Sequence, residues 1–86
     1  MSDYRYSRAA ARSLLFCWFD RSIPVGPRRR FAQAWGQLDP DVRAVLGLHQ
    51  YGAVTDWAAE EAAVDALRGA LVLVDEGRLR RRRLAA

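Results

Sequence analysis

The sequence predicts an all-α fold: a small four-helix domain over residues 1–77, followed by an arginine-rich basic tail over 78–86. Three observations predict it. Apolar residues recur at steps of three and four in each long segment, the period of a helix with one buried face. Proline and glycine fall between those segments. The length of 86 residues leaves room for one core. Hydrophobic residues make up 51% of the chain, with three Trp, three Tyr and three Phe, enough to build a core from a short sequence.

The first helix is expected from about Ser2 to Arg21. Tyr4, Ala11, Leu15 and Trp18 share one face, which Leu14 and Phe19 widen, while Arg5, Arg8 and Arg12 share another. Ser2 or Asp3 stands where a cap belongs. Leu14 to Phe19 is apolar on every side, which suits the centre of a core or half of an interface. Pro24, Gly26 and Pro27 interrupt the pattern. A second helix is expected from Pro27 to Gln37, with Pro27 as its first residue and Phe31, Trp35 and Leu38 as its apolar edge.

Asp39-Pro40 reads as a helix start, a capping carboxylate followed by proline. Val42, Val45, Leu46 and His49 form the buried stripe of this third helix, which Tyr51-Gly52 ends. The fourth helix begins at Thr55. Val64, Leu67, Leu71 and Val74, with Ala63 and Ala70, make its apolar stripe, and Gly77 its stop. A competing reading ends this helix at Gly69 and folds residues 71–84 into a β-hairpin turning at Asp75-Glu76-Gly77, like the wing of a winged-helix domain. Helical spacing from Val64 to Val74 favours the helix. The expected core is Trp18, Trp35, Phe31, Leu46 and Leu67.

Charge is segregated along the chain. Residues 1–43 carry eight Arg and four acids, residues 44–77 one Arg and six acids, and residues 78–86 five Arg and no acid. All 14 basic residues are arginine, whose planar fork grips phosphate or carboxylate at two points. The basic front is expected to pack beside the acidic segment, whose acids are otherwise expected on a solvated face. Two clusters then remain. Arg28, Arg29 and Arg30 stand at a helix start, where positive charge is unfavourable unless solvent, the acidic helix or an external anion compensates. Arg78, Arg80, Arg81, Arg82 and Arg83 form the tail.

Groups for catalysis are sparse. His49 is the single histidine and lies on an apolar stripe, and no serine or threonine stands in a nucleophile-elbow context. One Cys and one His cannot make a structural zinc site, and Gly26 to Arg30 lacks the Lys-Ser/Thr ending of a phosphate-binding loop. No enzymatic activity, metal or cofactor is expected. Cys17, the only cysteine, is expected in the core. The six-residue apolar run is too short for a secretory signal or a membrane span, so a cytoplasmic protein with no membrane contact is expected. Leu38 to Leu48 resembles the opening helix of the last region of bacterial sigma factors. The turn and second short helix that should follow are missing, and no family is assigned.

The leading expectation is a small regulatory protein that binds nucleic acid, or a nucleic-acid-bound complex, through Arg28–Arg30 and Arg78–Arg83. The alternative is an inhibitor or adaptor that binds an acidic protein surface, such as a small phage-encoded antagonist of a host complex. Tyr4, Tyr6, Phe16 and Phe19 are then the contact. Either way, those aromatics and the all-round apolar stretch lead us to expect a homodimer.

Overall fold

The computed structural model describes the backbone of residues 6–85 and the side chains of residues 6–77. Four helices form: α1 (Arg8–Phe19), α2 (Val25–Gln37), α3 (Pro40–Gly47) and α4 (Trp57–Ala85). α3 tightens into a 3-10 turn, Leu48–Tyr51, before the chain crosses to α4. Among the described residues there is no strand, so the winged alternative does not form.

Helix α1 starts later than its apolar spacing suggests. The cap is Ser7, whose Oγ accepts from the Ala10 amide at 3.0 Å, while Ser2, Asp3 and Tyr4 lie outside the described residues. Its end is a Schellman turn. The Ser22 amide donates to the Cys17 carbonyl at 2.9 Å and the Arg21 amide to that of Trp18 at 3.2 Å. This turn puts Arg21 at φ +57, the left-handed region that usually takes glycine.

Helix α2 begins two residues before Pro27, at Val25. Proline is tolerated there because first-turn amides have no partner inside the helix. Pro40 opens α3 as expected, but Asp39 makes no side-chain cap bond. Gly52, at φ +62, closes the 3-10 turn. Thr55 lies outside α4, and Asp56 is its cap, accepting from the Ala59 amide at 3.0 Å.

The largest departure is the end of α4. Gly77 does not stop the helix, which runs on to Ala85. One mid-helix glycine costs about 1 kcal/mol, and Leu, Arg and Ala are among the better helix formers, so the flanks outweigh it. Basic residues near a helix C-terminus also complement its dipole. The 29 residues of α4 span about 43 Å and set the long dimension of the molecule, 47 Å.

The core is the α4 stripe of Ala63, Val64, Leu67, Ala70, Leu71 and Val74, covered by the other helices. Ala11 and Leu15 come from α1, Phe31 and Ala34 from α2, and Leu46 from α3, with Ile23 and Leu38 from the connections. Phe31, Leu46 and Leu67 are fully buried as expected. Trp18 and Trp35 are only half-buried and pack against this core from outside. The Trp18 ring lies tilted 5.0 Å from Phe31 and 6.2 Å from Trp35, and Phe19 meets Trp35 edge-on at 5.9 Å. Such aromatic pairs each add about 0.5–1.5 kcal/mol beyond the area they bury. Cys17 is also half-buried rather than central.

Candidate nucleic-acid interface

The acids of α4 are largely engaged inside the molecule, and this decides which arginines face outward. α1 lies against α4 with opposite chain sense. Arg8 grips Asp65 with Nε at 3.0 Å and Nη2 at 2.8 Å. One turn on, Arg12 grips Glu60 with Nε at 2.7 Å and Nη2 at 3.0 Å. Arg68 donates to Asp65 at 2.7 Å and to the Tyr6 carbonyl at 2.8 Å. The Tyr6 hydroxyl donates to Asp75 at 2.7 Å. The basic front of the chain thus packs on its acidic segment.

Glu60 corrects the expectation of a solvated acidic face, because its side chain is 0% exposed. His49 Nε2 lies 3.2 Å from Glu60 Oε1, and since an ionised carboxylate only accepts, Nε2 carries the proton. Arg12, aided by His49, holds the Glu60 carboxyl below its ordinary value against the opposing effect of burial. Hydrogen bonds from Arg8 and then Arg68 lower Asp65 to about 2. Among the described residues, no buried side-chain polar atom lacks a partner and no three His, Cys, Asp or Glu residues cluster around a possible metal position. No described helix is long and apolar enough to cross a membrane.

The arginines at the start of α2 have three different fates. Arg28 folds back, donating from Nε and Nη2 to the Ile23 carbonyl at 3.2 and 2.9 Å. Arg30 comes within 4.0 Å of Asp75. Arg29 is exposed, with no partner among the described residues. α2 has no side-chain cap, so the amides of Val25 and Gly26 have no capping side chain, and Pro27 has no amide hydrogen. The compensation sought in the sequence is therefore partly a carbonyl, partly an acid and partly solvent.

Asp75 connects this turn to the second cluster. It touches Arg30, and Arg78 follows three residues later on the same helix. The backbone of α4 continues about 15 Å past Asp75, carrying Arg78, Arg80, Arg81, Arg82 and Arg83. The side chains of those five lie outside the described residues.

Of the aromatic residues named from sequence, Phe16 and Phe19 line one small groove, while Tyr6 is engaged elsewhere. Tyr6 is half-buried and tied to Asp75. Phe19 is half-buried against Trp35. Phe16 is 70% exposed, and Tyr4 is outside the described residues. Sequence reasoning missed the Arg12–Glu60–His49 cluster. Its only trace in the sequence is the opposition of charge blocks, since the partners lie 48 and 11 residues apart.

Comparison with protein-family models, curated proteins and solved structures gives no match. The functional reading rests on the chain's own residues.

Proposed function

We propose that this protein is a non-enzymatic binding protein that holds the phosphate backbone of nucleic acid with its arginine clusters, Arg28–Arg30 and Arg78–Arg83. One observation carries the reading. Glu60, Asp65 and Asp75 are already matched by Arg12, Arg8, Arg68, Arg30 and Tyr6, while the densest basic run follows the last acid, Glu76. Exposed Arg29 and the uncapped first turn of α2 add donors suited to phosphate.

The test is fluorescence anisotropy with a labelled duplex DNA and a single-stranded RNA across a salt series. Each phosphate neutralised contributes about 0.9 to the slope of log K against log salt on duplex, so five contacts give a slope of about −4.5. Replacing Arg80, Arg81, Arg82 and Arg83 with Gln keeps helix propensity and should remove most of that slope. Binding absent at low salt, or a slope unchanged in the variant, refutes the proposal.

A further inference from the structure

The end of α1 and the start of α4 carry two features of opposite character. The first is a groove of about 460 Å³ between α1, the α1–α2 connection and the 3-10 turn. Trp18, Phe19 and Ile23 give it apolar walls, and Arg21, Arg28 and Gln50 supply its polar lining. A smaller groove of about 180 Å³ adjoins it, sharing Phe19 and Gln50 and including the exposed Phe16. The second feature is a knob. Trp57, the first residue of α4, is 61% exposed and follows directly on the exposed Asp56, with exposed Glu61 one turn on. Tyr51, 77% exposed, neighbours the groove residue Gln50 in the chain, and five residues lead from it to Trp57.

We propose that this face binds a second copy of the chain, with Trp57 of each protomer seated in the groove of the other. Charge complementarity selects that occupant. The groove offers an apolar lining with two guanidinium groups, and the knob offers an aromatic ring beside the exposed carboxylates of Asp56, which also caps α4, and Glu61, which also lies 3.7 Å from Arg8. A chain that carries both halves can pair with its own copy about a two-fold axis. Buried tryptophan and arginine are also the residue types that most often dominate interface energetics.

The backbone at Arg21 points the same way. A side chain at φ +57 strains a helix end that glycine would close freely, so arginine is held there at some cost to folding. The guanidinium of Arg28 is fixed by the Ile23 carbonyl and needs no further ordering on contact. Arg28 also belongs to the proposed nucleic-acid cluster. Arg21 and Trp57 do not, so the two readings fail separately.

Sedimentation equilibrium on the full chain, from about 2 to 200 μM, tests the proposal in the range of a micromolar dimer. The wild type should approach twice its 9.7 kDa. Trp57→Ala and Arg21→Gly should each weaken association at least about 10-fold, with helical circular dichroism unchanged. Trp57 is mostly exposed, so its removal leaves the fold intact. Arg21→Gly should raise the thermal midpoint at the lowest concentration while weakening the dimer, a combination that a merely structural arginine would not give. A wild type that stays at 9.7 kDa throughout overturns the proposal. So does a dimer whose association constant either variant leaves within about twofold, too small a change for a central contact.

Discussion

Replacing Glu60 with Gln removes one negative charge from the most buried polar position described, while nearly preserving shape. The carboxylate accepts two bonds from Arg12, at 2.7 and 3.0 Å, and one from His49 at 3.2 Å. Breaking a buried ion pair by neutralising one partner costs about 3–5 kcal/mol when the other charge is stranded. Arg12 is 35% exposed, so water relieves part of its loss, and the glutamine oxygen still accepts one bond. A cost of about 2–3 kcal/mol results, once the upper range is reduced for that solvation. An 86-residue domain loses about 4–8 °C of melting temperature per kcal/mol, so the midpoint should fall by about 10–20 °C.

The assay is thermal unfolding by circular dichroism, repeated from pH 7 to pH 3. The folded Glu60 carboxyl lies below its ordinary value, chiefly through Arg12. Its contribution is therefore complete above the unfolded value, about 4.3, and is lost as pH falls through the folded value. The gap between wild type and variant should be widest near neutrality and shrink in acid. A shift below about 3 °C at pH 7, under what even one lost kcal/mol predicts, refutes the reasoning. So does a gap that does not change with pH.

Other substitutions test the elements separately by the same measurement. Ser7→Ala removes the α1 cap and should cost about 1 kcal/mol, while Ser22→Ala, at an exposed position just after the helix, should cost little. Gly69→Ala places a methyl where nothing lies within 4 Å and should stabilise the protein by about 0.5–1 kcal/mol, and destabilisation would argue against a continuous helix there. Phe31→Ala opens the centre of the core and should cost about 3–5 kcal/mol, near the whole stability of so small a domain, leaving a chain largely unfolded by denaturant titration.

The fold was legible where one residue type serves one role. The α4 stripe from Ala63 to Val74 and the start of α3 at Pro40 follow from local spacing alone. Helix ends were harder, because they depend on competing local terms. Gly77 has the chemistry of a stop, but the helix formers after it outweigh one glycine, and only their sum shows this. Arg21 takes a position that sequence rules reserve for glycine, so no local signal marks the turn. The burial of Glu60 was hidden for a different reason. A glutamate at the first turn of a helix already has a sufficient surface explanation in the dipole, and only the approach of α1 changes its environment. The charge blocks suggested that the basic front of the chain would pack beside the acidic segment. They did not say which acid would be enclosed.

The continuation of α4 through Gly77 also sets a linear charge density. In an extended tail, the six positions from 78 to 83 would stretch over about 20 Å. Wound as helix they occupy about 9 Å, and five of the six are arginine. That is close to one arginine backbone position per 1.8 Å of axis, while a DNA duplex carries one negative charge per about 1.7 Å with both strands counted. The winding that the glycine fails to interrupt thus gathers the basic run into less than half its extended length, with the backbone ordered before any contact is made.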